Sequence, residues 1–499
     1  MNKYFYFFTA LLCMNAVRSQ ELSDAMQYAQ DNLNGTARFR AMGGAFGALG
    51  GDFSSLNVNP AGSAFFLNDV VSLTLTSQNI KNKSDYFGTH ATETDNTFDL
   101  NQAGAAWVYE KLQQKPGWRK FVLALNYENT TSFDNTITAV GYNPTHSVAD
   151  YFTSYANGYA FNGLGGDFSM LNYRQQQAAL GLAANIIKPV GANTTTQYES
   201  QLTGNGNFYQ QNSIVSSGYN GKLAFNVATS YKDRLYLGLN LNSHFSDYTR
   251  YTRLYEDYDN SPGHDAANGV QNVLFSNELQ TYGTGFSFQA GAIVKVVKGL
   301  RLGLSYESPT WYRLTDKLRQ IVSVDCPDCA ATADQVFYDV QDSQNEYPTY
   351  KLKTPGRYTG SIAYIFGRSG LLSFDYTVKD YTKTKFRPSG DYADLNALIG
   401  GTFDQTSEFR VGGEYRISRW SLRGGYRFEQ SPYKDNATIG HLNSYSGGLG
   451  YSFGDTKVDL SYTLAKRNYN QAFFAQGLLD TAAISSRSDN VSLTIVFEL

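Results

Sequence analysis

Apolar and polar residues alternate along most of this chain with a period of two. Val71, Leu73 and Leu75 share one face of a segment whose other face is Ser72, Thr74 and Thr76. At the far end Val491, Leu493, Ile495, Phe497 and Leu499 form another apolar row. Successive side chains of a strand point to opposite sides, so each such segment predicts a strand with one greasy and one polar face. The same period recurs in Leu235, Leu237, Leu239 and Leu241, across 286–296, in Phe409, Val411 and Tyr415, and in Val458, Leu460, Tyr462 and Leu464. Fourteen strands are predicted, near 69–80, 97–110, 119–133, 213–230, 234–253, 277–297, 300–317, 353–367, 370–383, 407–418, 420–430, 441–453, 456–468 and 488–498.

The connections between them alternate long and short. The short ones are Lys232-Asp233, Lys298-Gly299, Gly367-Arg-Ser369, Ser418-Arg419 and Gly454-Asp455, with Gln113 to Trp118 somewhat longer. Short turns on one side and long loops on the other are the habit of an outer-membrane barrel, with the short turns periplasmic. A bilayer offers no water to an open sheet edge, so a sheet that spans one closes on itself. A soluble sandwich would need a second sheet to cover each apolar face. The fold class predicted is therefore all-β, a transmembrane antiparallel β-barrel of about fourteen strands. No stretch approaches the roughly 18 consecutive apolar residues of a membrane helix. The 38 Tyr and 32 Phe, in a chain whose aromatic share is 15%, suit the two interfacial girdles of such a barrel. A net charge of -3 gives no reason to invoke nucleic acid.

A short basic start and the run Tyr4-Phe-Tyr-Phe-Phe-Thr-Ala-Leu-Leu12 predict a secretory signal peptide over 1–19, cleaved before Gln20 and removing Cys13. The block Gly35-Thr-Ala-Arg-Phe-Arg-Ala-Met-Gly-Gly-Ala-Phe-Gly-Ala-Leu-Gly-Gly-Asp-Phe-Ser-Ser-Leu-Asn-Val-Asn-Pro-Ala-Gly62 then precedes the first strand. Its glycines allow positive φ and close approach in a crowded lumen, and Asn59-Pro60-Ala61-Gly62 ends it with turn chemistry.

Placed between a signal peptide and a barrel, this block resembles the N-terminal hatch of the FadL-type family of outer-membrane transporters for long-chain fatty acids and other hydrophobic compounds. The resemblance implies a plug over 20–66 in a barrel over 67–499, and passive uptake of a hydrophobic small molecule. It further implies that the hatch shifts and that the ligand leaves sideways into outer-membrane lipid through a gap in the wall. Asn59, Pro60 and Ala61 would line or support that gap, with Phe121, Tyr127 and Phe133 at its rim. The longest loop, Asp134 to Asn212, carries helix formers over 172–187, with Ala179, Leu182, Ala183 and Ile186 on one face, and a second short helix is predicted across Val148 to Tyr155. These helices either build an apolar landing site near Leu180 and Ile187 or form a lid over the mouth. A monomer is expected. The alternative from a different class is a FadL-like barrel that docks protein for secretion or surface assembly.

The chemistry-bearing residues point away from catalysis. Of five histidines only His244 lies well inside a strand, with Ser246 on its face and Ser243 on the other, and no nucleophile motif accompanies it. No nucleotide, metal or cofactor signature is present. Cys326-Pro-Asp-Cys329 lacks a second metal-binding pair, and an oxidising envelope favours a disulfide at the tip of the loop between strands seven and eight. Arg410, Glu414 and Arg416, then Arg423, Arg427 and Glu429, lie opposite the apolar faces of strands ten and eleven, which directs them into the lumen. They form either an ion-pair ladder that holds the plug through Asp52, Arg38 or Arg40, or a greeting for a ligand carboxylate.

Overall fold

The computed structural model describes residues 20–110, 117–165, 168–191, 195–328, 338–339 and 343–499. The predicted signal peptide with Cys13, most of the Gln113–Trp118 connection, and Cys329 lie outside them.

Fourteen antiparallel wall strands close into one barrel. They are β1 (Val70–Tyr86), β2 (Thr89–Tyr109), β3 in two pieces (β3a, Trp118–Ser132, and β3b, Asn135–Asn143), β4 (Phe208–Tyr231), β5 (Leu235–Asp257) and β6 (Asn272–Val297). Next come β7 in two pieces (β7a, Leu300–Glu307, and β7b, Trp311–Asp325) and β8 in three (β8a, Ser343–Glu346, β8b, Tyr350–Lys353, and β8c, Arg357–Phe366). The circuit is completed by β9 (β9a, Gly370–Asp380, and β9b, Lys385–Arg387), β10 (Gln405–Ile417), β11 (Trp420–Glu429), β12 (Ile439–Ser452), β13 (Thr456–Ala472) and β14 (Thr481–Glu498). β14 pairs back onto β1 from Val70↔Glu498 to Asp85↔Ala483, so no open edge remains at the seam.

The alternation read in the sequence sets the wall. Leu73, Leu239, Leu304, Ile362, Leu372 and Leu493 point outward and are exposed, while Ser72, Thr74, Asn240, Ser373, Ser492 and Thr494 point inward and are buried. The short turns are as predicted, and Lys232, Asp233 and Ser418 hold the positive φ that tight hairpin turns demand. Several strands outrun the membrane. β6 has 26 residues, more than twice the roughly 9–11 that a tilted span needs, so the wall continues outward as a collar.

The predicted loop over 134–212 is shorter in the structure. Its first part is β3b, which stays paired to β4 from Asn135↔Ser216 to Asn143↔Phe208. Helices α3 (Val148–Ala156) and α4 (Tyr173–Ala183) follow. The buried residues of α4 are Gln176, Gln177, Ala178, Leu180 and Gly181; of the predicted face Ala179, Leu182, Ala183 and Ile186, Ile186 is buried just beyond the helix and Leu182 packs against the same apolar cluster, while Ala179 and Ala183 are not buried. Gln177 donates to Gln320 Oε1 on β7b at 2.7 Å, which satisfies its amide on that inward face. Helix α5 (Ala393–Thr402) lies between β9b and β10.

Residues 20–66 fill the bore. They form α1 (Leu22–Gln27), α2 (Ala37–Ala41) and two 3₁₀ turns, Ser54–Asn57 and Pro60–Phe65. Thr36 caps α2 by accepting from the Phe39 N–H. Side-chain-free wall positions let the plug approach: a Cβ on Gly291 would stand 2.0 Å from Asn59 Oδ1, and one on Gly425 2.2 Å from the nitrogen of Gly43.

Candidate functional site

The wall is interrupted on one side. β2 and β3a pair only from Gln102↔Glu128 to Tyr109↔Phe121, and beyond Gln102 the outer part of β2 pairs with β1 alone. Two bulges displace β3a, at Trp118/Lys120 and at Asn129/Thr131, the second leaving Thr130 out of the β4 register, with its hydroxyl donating to the Asn220 carbonyl at 2.7 Å. A bulge adds one residue to one strand and bends it. β3b then crosses the inner side of the β1–β2 hairpin. Asn82 donates to the Thr136 carbonyl at 2.7 Å, Ser84 to the Thr138 carbonyl at 2.5 Å, and the Thr136 N–H to Asp95 at 2.7 Å.

The plug reaches both lips of the break. Asn34 donates to the Asn129 carbonyl at 2.7 Å and the Asn32 N–H to the Thr130 carbonyl at 3.3 Å. On the other lip the Gly35 N–H donates to Asn101 Oδ1 at 2.5 Å. Asn57 donates to Glu128, at the last paired position of β3a. The segment Asn32–Gly35 thus stands where the missing ladder would be. Sequence reasoning missed these asparagines, because their role is set by a non-local register.

Of the predicted rim aromatics, Phe121 and Tyr127 point out of the wall, Tyr127 stacking on Phe245 with centroids 6.0 Å apart. Phe133 points inward, edge-on to Tyr28 of the plug at 6.2 Å and to Tyr248 at 5.0 Å. The three flank the break from opposite sides.

Asn59, Pro60, Ala61 and Gly62 sit elsewhere, against β4, β5 and β6 near the periplasmic turns. Asn59 Nδ2 donates to the carbonyls of Gly47 at 2.8 Å and Ala292 at 3.1 Å, and its Oδ1 caps the following turn by accepting from the Ala61 N–H at 3.1 Å. Asn226 of β4 donates to the Pro60 carbonyl at 2.9 Å. The tetrapeptide is buried and anchors the plug; it does not touch the break between β2 and β3.

The lumen charges form two tiers. In the first, Glu414 accepts from Arg38 of the plug at 2.9 Å, from Arg423 at 2.7 Å and from Arg416 at 2.6 Å, and Arg423 reaches Asp459 at 2.6 Å. Burial pulls the Arg38 guanidinium down, but Glu414 and Asp52 outweigh it and hold it above its ordinary value. In the second tier Glu408 holds Arg410 at 2.8 Å and also Arg427, which bonds Glu429 at 2.7 Å and the Asp31 carbonyl of the plug at 3.4 Å. Of the three predicted plug residues, Arg38 is the one that ion-pairs with the ladder. Asp52 instead accepts from Thr36 at 2.8 Å, and Arg40 faces Asn34 at 3.3 Å, where burial brings it down to about 10 although Glu128 opposes this.

A second anchor was not legible in the sequence. Asp31 pairs with Arg357 and Lys379, each at 3.1 Å, and Arg357 pairs with Glu307 at 2.5 Å. Burial alone would raise the Asp31 carboxyl, yet Lys379, Arg357 and Lys222 together hold it far below the ordinary range. These groups, with Tyr28, Asn220, His244 and Tyr312, line a polar cavity of about 30 Å³ beside the Thr130 bulge. His244 Nε2 shares a hydrogen bond with Ser287 Oγ at 2.9 Å, across to β6, so it is not paired with Ser246.

Above the plug, α3 and α4 roof the mouth. Val148, Phe152, Leu180 and Ile187 are fully buried in one apolar cluster with Phe275 of β6 and Val322 and Val324 of β7b. Leu180 and Ile187 therefore belong to the same greasy body, closed in this structure. Glu256 of β5 accepts from the Val148 N–H at 3.0 Å and ties α3 to the collar. Cys326, at the end of β7b, is disulfide-bonded.

The model of the outer-membrane protein transport family OMPP1/FadL/TodX matches residues 14–488. The chain belongs to this family. Among solved FadL-type structures it is similar to a Pseudomonas aeruginosa FadL homologue, with a TM-score of 0.57 and 14% identity over 94% of this chain and 99% of that one. It is also similar to the Ralstonia pickettii toluene transporter TbuX, with a TM-score of 0.51 and 14% identity over 94% and 99%. The P. putida toluene transporter TodX gives 0.50 and 13% over 94% and 99%. No curated protein matches it by sequence. As a FadL-family barrel it resides in the bacterial outer membrane and serves the transport of hydrophobic compounds.

Proposed function

We propose that this barrel takes up long-chain fatty acids or similar single-chain lipids without an energy source, releasing them sideways into the outer membrane between β2 and β3. The observation that carries the reading is the broken β2–β3 ladder, whose two lips are bridged by Asn32–Gly35 of the plug. A ligand that detaches this short segment uncovers the break, while the rest of the plug stays anchored through Arg38, Asp31 and Asn59. The apolar α3–α4 body at the mouth supplies a surface on which an acyl chain is first captured.

The choice of a fatty acid over a bare aromatic hydrocarbon rests on the polar chamber beside the break. Arg357 and Lys379 are held there by Asp31 and Glu307, but Lys222, buried in the same lining and without an ion pair among the described residues, suits a carboxylate. The ionic anchoring of the plug also favours a second reading, a rigid barrel used for protein docking. Deleting Thr130 separates the two. Removal of the bulge lets β3a run on beside β2, so uptake of labelled oleate falls to background while the barrel still folds. Unchanged oleate uptake in a folded Thr130-deleted barrel refutes lateral release.

A further inference from the structure

We propose that the outer face of β7b, β8b and β9b is a binding site for the phosphate groups of a phosphorylated glycolipid in the outer leaflet. Arg313, Lys351 and Arg387 are directly opposite one another across three strands, and all three are exposed. In the next row toward the membrane, Lys353 lies opposite Lys385. Directly opposed like charges in a sheet repel and weaken it, so five cations in two adjacent rows need a counter-charge. Among the described residues none of the five forms an ion pair with a carboxylate, and Glu346, further out on β8a, is taken by Lys317 at 3.5 Å. Their geometry is nonetheless held: Lys385 donates to the Asn396 carbonyl of α5 at 3.2 Å, and Arg387 to Ser389 Oγ at 3.0 Å.

Depth selects the occupant. Trp311 shares a row with Lys353, is 44% exposed and stacks on Phe286; Tyr358 is 62% exposed just below. Below these the outward residues are Leu304, Ile362, Leu372 and Phe374, an apolar wall for acyl chains. Exposed aromatics mark the interface of an outer-membrane barrel, so the cations stand at headgroup height on the side of the long loops. Guanidinium and ammonium groups clustered there match phosphate esters anchored by acyl chains. A free phosphate shares the headgroup chemistry but not the chains, and a docked acidic protein would not require the apolar wall.

The test uses the full mature protein in detergent and measures binding of an acylated glucosamine disaccharide bisphosphate, its dephosphorylated counterpart and inorganic phosphate. The wild type binds the bisphosphate far more tightly than the other two. Arg313→Gln/Lys351→Gln/Arg387→Gln weakens that binding roughly a hundredfold, about fivefold per cation removed. Arg313→Lys/Arg387→Lys keeps most of it, and Lys188→Gln in the mouth loop changes nothing. Should the triple variant fail to fold by heat-dependent gel migration, Lys351→Gln alone reports the fivefold step. Equal affinity of wild type and folded variant overturns the proposal. Inorganic phosphate that competes as well as the lipid overturns it too, as does equal binding of the dephosphorylated lipid.

Discussion

The Gly35 N–H donates to Oδ1 of Asn101 at 2.5 Å, tying the plug to β2 one residue beyond the last position at which β2 still pairs with β3a. Asn101 is buried. Replacing it with alanine strands a buried donor, which costs about 1–3 kcal/mol locally. We expect the Gly35 amide of Asn101→Ala to exchange with deuterium roughly ten- to a hundredfold faster, with exchange near Asn59 unchanged. Uniform acceleration through the plug would show that its parts do not move independently.

Asn59 is the anchor at the other end. Its amide satisfies the Gly47 and Ala292 carbonyls and caps the Pro60 turn. Asn59→Ala loses the cap, worth about 1 kcal/mol, along with two buried bonds. Replacing Asn59-Pro60-Ala61 reduces growth on long-chain fatty acids while surface expression persists. Full growth would show that this anchor has no part in uptake.

Glu414 is the hub of the first ionic tier, with a side chain wholly shielded from solvent. Breaking a buried charge pair by removing one partner costs about 3–5 kcal/mol. Glu414→Gln leaves Arg38, Arg416 and Arg423 mutually repelling, so the plug loosens and the temperature of gel-mobility unfolding falls. Arg416→Gln, which removes a half-exposed partner, has a much smaller effect. Equal effects would contradict the hub assignment.

Two neighbouring parts of the plug respond oppositely to pH. Burial raises the carboxyls of Glu21 and Asp24 at the mouth end, although Arg250 opposes this. A raised carboxyl favours the folded state at low pH, and that stability declines as pH rises above its unfolded value near 4. Asp31 is depressed, so its contribution is complete above about pH 4 and is lost only as pH falls below that. Amide exchange in α1 should therefore quicken from about pH 4 to pH 7, after correction for intrinsic rates, while exchange around Asp31 stays constant. The reverse order would contradict these assignments.

Much of the barrel is legible in the sequence because its physics is local. A period of two fixes which face of each strand meets lipid, and that period alone directs Arg410, Glu414, Arg423 and Arg427 inward. Glycines ahead of the first strand mark a segment built for close approach. The break is not legible, because it depends on which residue of β3a meets which residue of β2. Phe121, Tyr127 and Phe133 follow one period in the sequence, yet the Thr130 bulge turns Phe133 to the lumen. Asp31 also escapes notice, since Arg357 and Lys379 are more than 300 residues away. The residues of β3b read as loop because their short buried row, Ile137 and Ala139, packs on Tyr86 of β1 and Ile484 of β14 rather than facing lipid.

The central claim is that the ligand passes between β2 and β3 beneath Asn32–Gly35. It is tested most directly by loading the protein in native outer membrane with a photoreactive long-chain fatty acid and mapping the adducts after irradiation. The account predicts adducts on Asn32–Gly35, on Asp99–Asn101 and on Asn129–Phe133. Adducts confined to the α3–α4 body and the periplasmic turns, with none on those three segments, would contradict it.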